Sequence, residues 1–139
     1  MREVADARHG INMEFTDMTD WRNVAELVRP ETKLIFLETP TNPNLKSGDI
    51  QAISKIAKEN DILLAVDNTF MTPLLQSPLE LGADMCINSC TKYIGGHGDL
   101  IMGSITTNNE DLAEQLRWNV NTFGGCPSAF DCYLTLRGL

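Results

Sequence analysis

Residues Ile62-Leu-Leu-Ala-Val-Asp-Asn-Thr-Phe70 hold an apolar run of strand length that ends on an acidic side chain and a turn-forming cluster. Bounded in this way, the run reads as a strand packed into a core. Toward the N-terminus, Ile50, Ile53, Ile56 and Ala57 recur at helical spacing behind Ser47 and Asp49, and predict a helix that gives out near Lys58-Glu-Asn-Asp61. Before it stands Lys33-Leu-Ile-Phe-Leu-Glu38, a second run expected to form a buried strand. It stops at Thr39-Pro-Thr-Asn-Pro43, where two prolines exclude regular structure. Earlier still, Trp21, Val24, Ala25 and Val28 predict a helix from about Asp20 to Val28, with Thr19 or Asp20 as its cap and Pro30 closing it.

Toward the C-terminus, Met85-Cys-Ile-Asn88 reads as a third strand that stops at Ser89-Cys-Thr-Lys92, and Leu100 to Thr106 can supply a fourth. A helix is expected from about Glu110 to Val120, then a break at Gly124-Gly125, then an apolar-rich stretch from Ser128 through Leu136 that stops at Gly138. Strands alternating with helices imply an α/β fold with parallel pairing, a mostly parallel sheet flanked by helices. Met1 opens on a charged segment like the end of a longer helix, and Leu139 falls just after a helix, so the chain reads as part of a domain.

Composition narrows the partners. The 139 residues carry 42% hydrophobic side chains, enough for one core. A formal charge of −8, from 19 acidic and 11 basic residues, argues against a surface made to neutralise nucleic-acid phosphates or anionic lipid. Small molecules and proteins are the expected partners. Cys86, Cys90, Cys126 and Cys132 show no paired CxxC spacing and no disulfide-scaffold density, which predicts reduced core thiols and a cytoplasmic location. Residues 1–12 lack an export signal, and no later apolar run approaches the roughly 20 residues that span a bilayer. The scattered methionines, among them Met13, Met85 and Met102, read as core filling.

Ligands of an open parallel sheet gather at the carboxyl ends of its strands. Glu38, Asp67 and Ser89 each stand where a strand-like run gives out, so three polar strand ends can converge on one crevice. Lys92 follows Ser89-Cys-Thr and precedes Tyr93-Ile-Gly-Gly-His-Gly98, a glycine-rich turn that lets backbone approach a ligand. Pyridoxal 5'-phosphate (PLP) chemistry needs an imine-forming lysine, donors for a phosphate, and a carboxylate that keeps the pyridine nitrogen protonated. This stretch has all three residue types. Residue by residue, a solvated Lys92 and an Asp67 that caps a turn fit equally well. Cys86, Cys90 and His97 suit no common zinc spacing and lack a fourth ligand, so no metal site is expected. His9, in a charged segment, reads as a surface histidine.

Glu38-Thr-Pro-Thr-Asn-Pro43, Val66-Asp-Asn-Thr-Phe70 and Ser89-Cys-Thr-Lys-Tyr-Ile-Gly-Gly-His-Gly-Asp99 together resemble the cysteine/methionine-metabolism family of PLP-dependent enzymes, the trans-sulfuration enzymes. The intervals agree: Asp67 lies 25 residues after Asn42, and Lys92 lies 25 after Asp67. The resemblance extends to Pro127-Ser-Ala-Phe-Asp-Cys-Tyr-Leu-Thr-Leu-Arg-Gly-Leu139 and is strongest toward the cystathionine gamma-lyases. It implies a fold-type I enzyme, with residues 1–139 a partial large, PLP-binding domain and both an N-terminal segment and a C-terminal domain absent. By the same resemblance Lys92 carries the cofactor, Asp67 pairs with the pyridine nitrogen, and Ser89 and Thr91 bind the phosphate. Asn42 approaches the phenolic oxygen, Thr69 lies against the ring, and Glu38 organises the loop.

The implied activity is gamma-elimination of cystathionine to cysteine, 2-oxobutanoate and ammonia, with Lys92 as the proton carrier. Cystathionine gamma-synthase, cystathionine beta-lyase and methionine gamma-lyase chemistry are the alternatives. The family also implies an amino-acid thioether substrate and a homo-oligomer, dimer or tetramer. Cys90, where alanine is frequent, and Gly98, where serine is, depart from the pattern. An upstream aromatic, upstream phosphate contacts and a downstream arginine for the substrate carboxylate are absent, which leaves a non-catalytic fragment or isoform as a reading of another class. A doubly wound binding module of flavodoxin or receiver type would share the alternation but not Lys92 within its motif.

Overall fold

The computed structural model describes residues 10–139. Readings that fall on residues 1–9, the charged helix end and His9 among them, lie outside the described residues. Four strands, β1 (Leu34–Glu38), β2 (Leu63–Asp67), β3 (Met85–Ser89) and β4 (Gly103–Thr106), form one sheet in that order. Among the described residues five helices accompany them: α1 (Trp21–Leu27), α2 (Ile50–Glu59), the single turn α3 (Thr72–Leu75), α4 (Glu110–Phe123) and α5 (Ala129–Gly138). A π-helical turn, Cys90–Ile94, follows β3 directly.

Local chemistry sets the helix boundaries. Asp20 and Asp49 each accept a hydrogen bond from a first-turn amide, Arg22 N and Ala52 N, both at 3.0 Å, which satisfies donors that the helix leaves free. Thr19 takes no part in the cap and instead bonds Asp17. Asn109 caps α4 in the same way, and the helix runs on to Phe123, past the expected Val120, because Gly124 at φ 73° supplies the left-handed residue that ends it.

α1 and α2 cover one face of the sheet. Val24 of α1 and Ile50, Ile53, Ile56 and Ala57 of α2 pack on Ile35 and Leu37 of β1 and Leu64 and Val66 of β2. Among the described residues the other face of these strands is largely uncovered at β1, although Ala65 of β2 is buried. Leu34 and Phe36, expected in a buried strand, are 48% and 50% exposed, and Leu63 is also exposed. The correction has a simple cause: side chains alternate across a strand, and both covering helices lie on the same side.

β1 pairs with β2, and β2 with β3, in parallel, while β3 and β4 are antiparallel. The sheet is thus mostly parallel, as expected, with β4 as its antiparallel strand. The chain between β3 and β4 holds a tight turn and a glycine-rich loop but no crossover helix, so it reverses direction. Cys86 and Cys90 are buried thiols and Cys132 is partly buried, but Cys126 is exposed, which corrects the reading of four core thiols. Met85 and Met102 pack in or against the core, whereas Met13 lies in irregular chain ahead of α1. Among the described residues no helix is long and apolar enough to cross a membrane.

Ile53 is fully buried between α2 and the sheet. Ile53→Ala is expected to lower the unfolding free energy by about 2 to 5 kcal/mol, through lost transfer energy and an incompletely filled cavity. Urea titration followed by circular dichroism measures this as a shifted midpoint at unchanged slope.

Candidate active site at the carboxyl ends of the strands

The parallel register aligns the polar strand ends. Glu38 of β1 stands opposite Asp67 of β2, and Asp67 opposite Ile87 of β3. Directly paired residues share a face, so Glu38 and Asp67 both belong to the face away from α1 and α2. Ser89 ends β3 two residues beyond Ile87, and its register partner on β4 is Gly103. The sheet thus brings Glu38, Asp67 and Ser89 to one edge, as their positions at the ends of the three runs anticipate.

Thr69 ties two of these ends together. Its hydroxyl oxygen accepts from Ser89 N at 2.8 Å, and its own amide donates to Asp67 Oδ1 at 2.9 Å. Asp67 is therefore held through one carboxylate oxygen, and among the described residues the other makes no hydrogen bond. Asn42 lies in the loop after β1, where its amide donates to Glu38 Oε1 at 3.1 Å, so Glu38 closes the loop on itself. The Asn42 side chain is exposed. Thr91 is more committed: its hydroxyl accepts from Met102 N at 3.1 Å and donates to Met102 O at 3.3 Å.

Lys92 sits within the turn after β3 and breaks it. Its backbone, at φ −91° and ψ −120°, leaves the helical region between Thr91 and Tyr93. Hydrogen bonds from Gly95 N to Cys90 O at 2.7 Å and from Gly96 N to Lys92 O at 2.8 Å close the chain around that break. Gly96, at φ 70°, turns where a side chain would be strained. His97 Nδ1 is 2.8 Å from Gly95 O and so donates to it, a structural bond that braces the same loop. The Lys92 side chain is exposed. Cys86 and Cys90 are buried whereas His97 is exposed, and among the described residues no three His, Cys, Asp or Glu side chains cluster in a way that could hold a metal ion. Burial pushes the Cys86 thiol up, partly offset by hydrogen bonds with Asn88 and Thr106.

The sequence reading missed the network beneath the loops. Asn68 is fully buried, and its amide donates to Gln76 O at 2.9 Å while accepting from Gln76 Nε2 at 2.8 Å. Gln76 Nε2 reaches on to Thr39 O at 3.3 Å, and the buried Thr39 hydroxyl accepts from Gly48 N at 3.1 Å. Asn68 and Thr39 were in view, inside Asp-Asn-Thr and just before Pro40, but Gln76 carries no motif and its partners are distant in sequence. A further staple joins Lys46 of the proline-rich loop to Asp17 ahead of α1. The Lys46 ammonium, with help from Thr19, pulls the Asp17 carboxyl down to about 2.

The residues fit PLP as a donor set: a lysine amine, a carboxylate with one uncommitted oxygen, and the Ser89 hydroxyl stand on adjacent strand ends and the turn that follows. The whole chain, residues 1–139, matches the family model for Cys/Met metabolism PLP-dependent enzymes. It is 48% identical to the cystathionine gamma-lyase of Rattus norvegicus over 139 residues, which cover 99% of this chain and 35% of that protein. It is also 48% identical to the cystathionine beta-lyase MetC of Bacillus subtilis over 132 residues, 95% of this chain and 34% of the relative. The crystal structure of metB from Corynebacterium glutamicum superposes with a TM-score of 0.94 at 41% identity, over 99% of this chain and 36% of that one. The chain thus spans about a third of the length of the proteins it matches.

Two outcomes are expected from this geometry. Asn68→Ala takes the side-chain donor from the Gln76 carbonyl and leaves the Gln76 amide only its bond to Thr39, and should cost about 1 to 3 kcal/mol of stability, read by urea unfolding. The Asp17–Lys46 pair should add stability above the ordinary carboxyl pKa of 3.8 and lose it as pH falls through about 2, since the folded carboxyl holds its proton less tightly. Both partners are exposed, so the effect should be small and weaken with salt. Thermal melts of the parent chain and Asp17→Asn between those pH values should converge at the acidic end.

Proposed function

Because the chain belongs to the family of Cys/Met metabolism PLP-dependent enzymes, we propose that it is part of the large, cofactor-binding domain of a carbon–sulfur lyase that acts on an amino-acid thioether. The reaction proposed is gamma-elimination of cystathionine, with uptake of water, to cysteine, 2-oxobutanoate and ammonia. Gamma-synthase, beta-lyase and methionine gamma-lyase reactions remain the alternatives, separable by product analysis on several thioethers. A homo-oligomer, dimer or tetramer, and a cytoplasmic location belong to the same proposal.

The observation that carries the reading is the placement of Lys92 in a broken turn three residues past Ser89, on the strand next to Asp67. PLP, when bound, would supply an electron sink for charge developing at the substrate's α carbon. The Lys92 amine would hold the cofactor covalently and, once displaced by the substrate amine, would move a proton at the α carbon. The free oxygen of the Asp67 carboxylate would hold the proton on the pyridine nitrogen. The Ser89 hydroxyl would bind the phosphate, and the Thr91 hydroxyl would join it by exchanging its bond to Met102 O. The Asn42 amide would face the phenolic oxygen, and Thr69, which fixes both Asp67 and Ser89, would lie against the ring.

A second reading, cofactor binding without turnover, is favoured by the exposure of Lys92. One experiment addresses both. The chain is mixed with PLP, reduced with borohydride and digested, and the modified peptide is located by mass spectrometry. Modification confined to Lys92 is expected, with none at that peptide in Lys92→Ala and a reduced yield in Asp67→Ala. Equal modification of all accessible lysines would sink the assignment. Turnover of cystathionine by the labelled-competent chain separates a working enzyme from a binding domain.

A further inference from the structure

We infer that the C-terminal turn of α5 is the backing that positions Lys92, through a close backbone approach at Gly138 and an ion pair from Arg137 to the loop after the lysine turn. The inference rests on the assignment of Lys92 as the cofactor lysine.

α5 packs on the lysine-bearing segment. Leu134 is buried in a small cluster with Cys90, the first residue of the π-helical turn, and Leu100, with Ile94 and Met102 alongside. The Thr135 hydroxyl lies 3.2 Å from Met102 Sδ, and Met102 is the residue whose backbone holds the Thr91 side chain. Arg137 Nη2 donates to Asp99 Oδ1 at 2.8 Å. The guanidinium holds the Asp99 carboxyl below its usual range, and the carboxylate in turn raises Arg137.

Gly138 is the tightest element of this packing. A Cβ at that position would collide with the carbonyl oxygen of Ile94 and stand 3.0 Å from that of Gly95. Both obstacles are backbone atoms of the segment whose hydrogen bonds close around Lys92, so neither can move without moving the turn. An exposed ion pair alone contributes little. The close approach decides where the turn sits, and the Arg137–Asp99 pair orients the loop that leaves it. Both act on Lys92 through backbone, which makes Gly138 and Arg137 positioning residues.

The test compares the full chain with Gly138→Ala, with Arg137→Met, and with the charge swap Asp99→Arg plus Arg137→Asp. Hydrogen exchange by mass spectrometry reads residues 90–96 against the core segment 50–66, and the share of borohydride-trapped PLP at Lys92 is read against Lys55 and Lys58. In Gly138→Ala, exchange over 90–96 should rise roughly tenfold with 50–66 unchanged, and the Lys92 share should fall. Arg137→Met should do the same to a smaller degree, with recovery in the charge swap. Unchanged exchange over 90–96 in both single variants overturns the inference, as does an equal rise over 50–66 in both. If the parent chain shows no preference for Lys92 while Gly138→Ala still loosens 90–96, the backing of the turn by α5 is upheld and the cofactor assignment falls.

Discussion

Parallel pairing of β1, β2 and β3 is the constraint on which the rest of the molecule depends. Backbone donors and acceptors in a covered sheet have to be paired, and the parallel ladder does this only when the strands run side by side in one direction. Their carboxyl ends then fall along one edge. Glu38 beside Asp67, with Ser89 ending the next strand, follows from that ladder and from the lengths of the three runs.

Strand ends alone do not make a site, because the chain beyond them is irregular and its polar groups must still be satisfied. Short side-chain bonds solve this locally. Thr69 spans Asp67 and Ser89, and Glu38 takes the Asn42 amide. Beneath them, Asn68, Gln76 and Thr39 join the loops after β1 and β2. The polar edge is thereby tied down where it meets the sheet, on the face away from α1 and α2.

The lysine turn draws on a different support. It follows β3 without a linker, so its start is set by the sheet. Its far side rests on α5, at the end of the chain, through Leu134, Arg137 and Gly138. The sheet and α5 thus hold Lys92 from two directions, and the antiparallel return of β4 brings Met102 against Thr91 between them.

Much of this was legible in one dimension. Capping residues, helical periodicity and proline placement mark the helices and strands, because these depend on neighbours within a few residues. The three motifs, with their equal spacing of 25 residues, mark the polar strand ends and Lys92 through their resemblance to those of the family. Direction and coverage were not legible. Periodicity carries no sign for the antiparallel β4 and does not say which face of β1 is left bare at Leu34 and Phe36, and cysteine spacing placed Cys126 in a core it does not enter. Nor could it pair Asn68 with Gln76, Arg137 with Asp99, or Gly138 with the lysine turn. The amino-acid sequence by itself determined the kinds of element, their order and the chemistry at their ends. Only the tertiary structure decided which elements meet, because contacts between distant residues follow from how the whole chain packs and leave no periodic trace in any one segment.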